Sequence, residues 1–183
     1  MEAYRRALAQ GELEGYRKRR WRQSDQFASW LTEVDLLSLS TEQALALYRA
    51  SGGRRSQDFK ANPIEEVRDS LDFLLHDNIK LEGRFDECAS TEGAYNLAGT
   101  GKEFFSYVLY LRNPGLFAVW STHGERILRR MKLDSEGLRR RNLGIAYMDL
   151  LEGMQAVRQA VGLADFRAVD EFAYAVARPG AAP

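Results

Sequence analysis

At 183 residues, 45% of them hydrophobic, the chain is long enough for one domain with a substantial core. A single cysteine, Cys88, excludes an internal disulfide framework and reads as a buried apolar residue; two scattered histidines, His76 and His123, argue against a zinc or iron–sulfur site, so no cofactor is expected. There is no apolar run of membrane-spanning length, and the first thirty residues carry seven basic side chains without an apolar leader segment. A cytoplasmic protein without membrane contact is therefore expected, nucleoid-associated if the source is a prokaryote.

The zero net charge hides an uneven distribution. Residues 1–23 hold seven basic and three acidic side chains, and residues 24–96 hold seven and fourteen. Residues 97–141 hold nine and four, and residues 142–183 three and five. Charge asymmetry of this kind speaks to partners and not to fold.

In chain order, residues 1–23 read as a basic N-terminal helical extension. Its stretch from Tyr16 to Arg22 interleaves two aromatic side chains with five cations, Arg17, Lys18, Arg19, Arg20 and Arg22. That composition suits phosphate contact with stacking on a base or sugar. It equally suits a basic helix that packs Tyr16 and Trp21 on the domain and leaves its arginines in solvent.

Residues 24–177 read as the helical domain. Ser40-Thr41-Glu42-Gln43 has the form of a capping box before Ala44, Leu45 and Leu47. Gly52 to Ser56 is a loop between helices. Asn62-Pro63-Ile64-Glu65 predicts a cap, a proline at the first helical position and a carboxylate in the first turn. The helix that follows repeats Val67, Leu71, Leu74 and Leu75 on one face, and Phe104, Val108, Leu109 and Leu111 do the same further on. No stretch alternates as a strand would. Arg178 to Pro183 reads as a flexible tail that cannot continue a helix. The predicted fold class is an all-α, compact multi-helix domain.

Leu97-Ala98-Gly99-Thr100-Gly101-Lys102 predicts a tight glycine turn opening an apolar helix. Glycines on either side of one residue permit positive φ, so that successive backbone N–H groups can point outward at a helix N-terminus, a phosphate-binding geometry. With apolar segments on both sides, the pattern resembles a helix-hairpin-helix element, here spanning about residues 86–112. The basic side chains Lys102, Arg126, Arg129, Arg130 and Arg139 to Arg141 lie in the same part of the chain; as an ordinary alternative they form a solvated helix face.

Residues 96–133 resemble the core of the endonuclease III-like DNA glycosylase superfamily. In that family the hairpin is followed by a valine-aspartate-threonine-histidine segment and an arginine-rich helix; here the text is Val119-Trp120-Ser121-Thr122-His123, then Arg126 to Met131. The family's catalytic lysine falls at Glu103, and its aspartate at Trp120 or Ser121, so the resemblance implies the DNA grip without the catalytic pair. Lys102 lies one position earlier than that lysine and is expected at the phosphate. The family's four-cysteine cluster has no counterpart.

The order of a capped helix from Asn62 to Leu75, the Gly99-Thr100-Gly101 turn, and the stretch from Ser106 through Asn113-Pro114 to Trp120 is similar in texture to small helical domains of McrB-type restriction and phage-defence proteins. So are Gly162 to Asp165 and Asp170 to Tyr174. That likeness implies a partner protein carrying nuclease or ATPase activity, since such domains lack a motor of their own and this chain has no phosphate-binding loop of the G-x-x-x-x-G-K-[ST] form.

Three functional readings follow. The first is a non-catalytic module gripping double-stranded DNA, in restriction, phage defence or repair, through Gly99, Thr100, Gly101, Lys102, Arg126, Arg129 and Arg130, with Trp120 or Tyr110 near a distorted or modified base. The second is a glycosylase-like enzyme with Glu103, Glu125 or Asp134 as its carboxylate, facing the sugar of an extruded nucleotide. The third is a helical protein-interaction adaptor in which the glycine turn is only a helix cap.

Overall fold

A computed structural model describes residues 2–133, 138 and 141–177; Asp134, Arg139, Arg140 and the predicted tail, residues 178–183, lie outside the described residues. Twelve helices and no strand occur among the described residues: α1 (Glu2–Ala9), α2 (Glu14–Arg20), α3 (Ser24–Trp30), α4 (Glu33–Leu36), α5 (Thr41–Ala50), α6 (Ser56–Lys60), α7 (Ile64–His76), α8 (Leu81–Ala89), α9 (Lys102–Arg112), α10 (Thr122–Arg130), α11 (Leu143–Val161) and α12 (Phe166–Ala177).

Local signals explain several of these boundaries. The capping box at Ser40 is formed in both directions, with the Gln43 N–H donating to Ser40 Oγ at 3.2 Å and the Ser40 N–H to Gln43 Oε1 at 2.7 Å. Asn142 caps α11 by accepting from the Ile145 N–H at 2.8 Å. α7 departs from its predicted cap. Pro63 occupies the cap position, and the Asn62 side chain instead donates to Ala98 O at 3.1 Å and accepts from the Ala98 N–H at 2.8 Å. A side-chain amide carries both a donor and an acceptor, so it can pair with both backbone polar groups of one residue in another segment where a helix cap would use only its oxygen.

α9 is the central element. Every residue from Phe104 to Leu111 is buried, so the helix is apolar all round, as a helix enclosed by others must be. α7, packed on α4, α8 and α9, buries Val67, Leu71 and Leu74, with Leu75 half-buried. Fully burying such a leucine stabilises the fold by about 1.5–3 kcal/mol. α8 packs along α11, where Phe85, Trp120 and Tyr147 form a nearly parallel stack with centroids 4.2 to 6.2 Å apart. Cys88 is buried there too, as predicted, and burial pushes its thiol up to about 12.

In residues 2–23 it is the packed alternative that is seen: Tyr4 meets Phe172 edge-on at 5.7 Å, Tyr16 stacks on Tyr174 at 4.0 Å, and Trp21 is buried between Tyr107 and Tyr110. The apolar sides of α1 and α2 thus complete the core against α9 and α12. The segment before the glycine turn differs from its expected form. α8 ends at Ala89, and residues 90–101 are turns, not a helix running into the hairpin. This segment folds back on the end of α8, the Ala94 N–H donating to Glu87 Oε2 at 2.8 Å and Asn96 Nδ2 to Cys88 O at 3.0 Å. Ser90, Gly93 and Asn96 favour such local hydrogen bonding over helix.

Candidate nucleic-acid interface

The glycine turn is built on α5 and α6. Gly99 has φ +81°, and a Cβ there would come within 2.9 Å of Phe59 N and 3.0 Å of Arg55 O. Glycine is required at this position both by the left-handed backbone and by the closeness of the α6 N-terminus. Tyr48 locks the two segments together, its hydroxyl donating to Gly99 O at 2.8 Å and accepting from the Arg55 N–H at 2.9 Å. The same ring supports Gly53. The Gly52–Ser56 loop is therefore anchored to the glycine turn.

Gly101 is different. Its φ of 176° is extended backbone, and a Cβ would meet nothing within 4 Å, so the turn itself does not demand glycine there. Thr100 is occupied within the turn, its hydroxyl donating to Leu97 O at 2.7 Å. No side chain caps α9; the Phe104 N–H turns back to Gly101 O at 3.0 Å, and the first N–H groups of a helix, here those of Lys102 and Glu103, have no intrahelical acceptor. They open beside a cleft.

That cleft has two compartments sharing Gly52, Gly53, Arg54, Glu103 and Thr122. The smaller, of about 490 Å³, lies over Gly99–Glu103 with Arg54, Arg55, Lys102 and Glu125 in its walls. The larger, of about 880 Å³, is bounded by Arg19, Arg20, Arg49, Arg54 and Arg126, with Glu103 as its one carboxylate and Tyr16, His123 and Tyr174 as its rings. Arg19, Arg49 and Arg54 are exposed and make no ion pair among the described residues. Arg55 pairs with Asp58 in an exposed contact, which adds little stability and leaves the guanidinium available.

The floor of the larger compartment is a buried polar network. Arg20, 4% exposed, donates to Glu103 Oε1 from both terminal nitrogens at 3.1 and 3.0 Å and to Ser51 O at 3.1 Å, and its Nε lies 3.4 Å from Asp170 Oδ2. Tyr16 donates its hydroxyl to Asp170, and Ser121 Oγ reaches the other Asp170 oxygen at 3.3 Å. Rings of Tyr16, Trp21 and Tyr107 flank the guanidinium at 5.5 to 5.6 Å. Burial opposes the Arg20 charge, but Asp170, Tyr16 and Glu103 outweigh it and raise its pKa. Burial also raises the Glu103 carboxyl above the usual carboxylate range, with Arg20 acting in the opposite direction. Burial lowers His123.

The predicted site residues divide. Lys102 reaches the cleft but is paired with Glu125 at 2.5 Å and sits 4.3 Å over the Trp120 ring. Glu125 Oε1 also accepts from Trp120 Nε1 at 2.7 Å. Burial pushes the Glu125 carboxyl up, yet hydrogen bonds from Lys102 and Trp120 prevail and hold it below its ordinary value. Trp120 lines the smaller compartment at its base, 1% exposed, with its ring in the Phe85–Tyr147 stack and Lys102 above it, because its large apolar ring is worth more in the core than at the surface. Tyr110 is likewise buried, against Trp21.

Arg126 and Arg130 donate to Ala177 O at 3.4 Å and Val176 O at 2.5 Å, placing their charge at the negative end of α12. Arg129 hydrogen-bonds Glu125 O at 3.3 Å and lies 3.9 Å from its carboxylate. Of the Arg139–Arg141 run only Arg141 is described, paired with Glu92 at 3.4 Å. Arg49 and Arg54 were missed because they come from the acid-rich block; the Gly52-Gly53-Arg54-Arg55 loop was the signal that could have marked them. Glu103 and Glu125 do share the smaller compartment, each engaged by a cation. No protein-family model matches this chain, and no curated protein or solved structure does either.

Proposed function

We propose that the chain is a DNA-binding module without catalysis of its own, holding backbone phosphates of double-stranded DNA in the cleft between the glycine turn, the Gly52–Ser56 loop, α2 and α10. What carries this reading is the larger compartment, where Arg19, Arg49 and Arg54 stand exposed without an ion pair among the described residues. Guanidinium groups match phosphate geometry and stay charged at every relevant pH. The uncapped N-terminus of α9 adds oriented N–H donors at the mouth of the smaller compartment.

The two carboxylates support the non-catalytic half of the reading. A glycosylase acid must face the sugar with its charge available, whereas Glu103 is held by Arg20 and Glu125 by Lys102 and Trp120. In this reading any cleavage belongs to a partner protein with nuclease or ATPase activity, as the likeness to helical domains of McrB-type restriction proteins implies, and the setting is restriction, phage defence or repair.

The test is fluorescence anisotropy of labelled duplex over a salt series. Three phosphates neutralised by Arg19, Arg49 and Arg54 give a log–log slope of about −3. Arg49→Ala and Arg54→Ala each shrink it by about one and weaken all sequences alike. Arg112→Ala, on the exposed C-terminal end of α9 about 15 Å away along the helix, leaves it unchanged. Affinity independent of salt rejects DNA binding. An abasic product that vanishes in Glu103→Gln or Glu125→Gln rejects the non-catalytic assignment.

A further inference from the structure

The basic helix α2 separates two cation-lined hollows. On one side Arg19 and Arg20 face the cleft. On the other, Arg17, Lys18, Arg22 and Arg167 line a separate groove of about 530 Å³ together with Gly15 and one carboxylate, that of Glu14. Within that groove Arg17 and Arg167 share the buried carboxylate of Glu171, at 2.5 and 3.1 Å. Lys18 and Arg22 are exposed and make no ion pair among the described residues. The short helix α2 and the turn that follows it thus present cations without an ion pair on both flanks, while Tyr16, Arg20 and Trp21 anchor the inner side.

From this we infer that α2 seats in the major groove of double-stranded DNA, with Arg19 and the cleft holding the backbone of one strand and Lys18 and Arg22 the backbone of the other. An α-helix with side chains is about 10–12 Å across and the major groove about 12 Å wide, so cations on opposite flanks of the helix meet phosphates of opposite strands. A single strand can occupy only one flank at a time. The inference rests on the DNA-binding reading and adds that duplex is the preferred form, with α2 as the element that selects it.

The experiment compares a labelled 20-base-pair duplex with one of its single strands, each titrated with the full chain and with the double variant Lys18→Ala/Arg22→Ala across a salt series. The expected result is that the variant's duplex slope shrinks by about two and its duplex affinity falls by about tenfold or more at physiological salt. Its single-strand affinity stays within about twofold of the parent's, because the cleft flank is untouched. Both side chains are exposed and make no ion pair among the described residues, so thermal melts of variant and parent should superimpose, separating contact from folding. Unchanged duplex slope and affinity in the variant overturn the inference and leave the cleft reading standing. Equal parental affinity for duplex and single strand overturns it as well. Failure of the parent to bind either form rejects the DNA reading itself.

Discussion

Replacing Arg20 by methionine tests whether the buried network under the cleft is organised as described. Methionine preserves much of the side-chain volume and its packing against Tyr16, Trp21 and Tyr107, and removes the charge. Glu103 can turn toward solvent, since its side chain is 37% exposed, but Asp170 at 3% cannot. It would retain only the hydroxyls of Tyr16 and Ser121 as donors. Removing one partner of a buried ion pair costs about 3–5 kcal/mol, because the other charge is left uncompensated. For a domain of this size each kcal/mol shifts the melting midpoint by roughly 2–4 °C, so the variant should melt about 6–20 °C below the parent. Circular dichroism melts and urea titrations measure this directly. Adding Asp170→Asn to the variant should recover a large part of the loss, since the orphan charge is gone, and the double-mutant cycle should show coupling well above 0.5 kcal/mol. A melting point within about 2 °C of the parent, or additive losses in the double variant, would refute the reasoning.

Two further outcomes concern the turn and the carboxylates. Gly99→Ala should destabilise by about 1–3 kcal/mol, from the left-handed backbone and the overlap with Phe59 and Arg55, while Gly101→Ala melts like the parent; equal losses at both positions would show that the turn is strained elsewhere. The two glutamates should respond to pH with opposite signs. Glu125 has its folded pKa depressed, so its contribution is fully present above the ordinary carboxylate value and is lost as pH falls through the folded value; Glu125→Gln therefore loses ground to the parent as pH rises from acid to neutral. Glu103 has its folded pKa raised, so stability declines as pH rises from the unfolded value through the folded one, and Glu103→Gln gains ground over the same interval. Urea midpoints between about pH 3 and 7 report both, and trends of the same sign would contradict the assigned environments.

The sequence was most legible where structure is determined locally. The Ser40 capping box and the apolar spacing of α7 and α9 are short-range statements about helix geometry, and the structure realises them. The run from Tyr16 to Arg22 was legible as a helix with cations, but not as to which arginine turns inward. That choice depends on Asp170, Glu171 and Tyr174, some 150 positions later, which meet the α2 side chains only after α12 has docked. Trp120 was read through the family position it occupies, which is a polar one; nothing within a few residues of it reveals that Phe85 and Tyr147 enclose the ring.

Charge by segment proved a poor guide to charge by surface. The basic block from residue 97 to 141 is where the cations outnumber the carboxylates most, yet much of its charge is already matched within the fold. Lys102 and Arg129 lie on Glu125, while Arg126 and Arg130 face the carbonyl end of α12. Among the cations lining the larger compartment, those with no such partner among the described residues are Arg19 on α2, Arg49 at the end of α5 and Arg54 in the loop after it, and they belong to segments whose own totals are moderately basic or strongly acidic. Folding separates them from their acidic sequence neighbours: Asp25, Glu33, Asp35, Glu65 and Glu66 are exposed and line neither compartment. What determines the positive charge presented by the cleft is therefore not the excess of cations but which of them are left unmatched. The structural arginines work indirectly, since Arg20 fixes the floor and Arg126 and Arg130 tie α10 to α12, so that the three unmatched guanidinium groups converge on one rigid concave surface. Convergence of that kind strengthens anion binding beyond what three scattered surface arginines provide, because a low-dielectric cleft focuses their field.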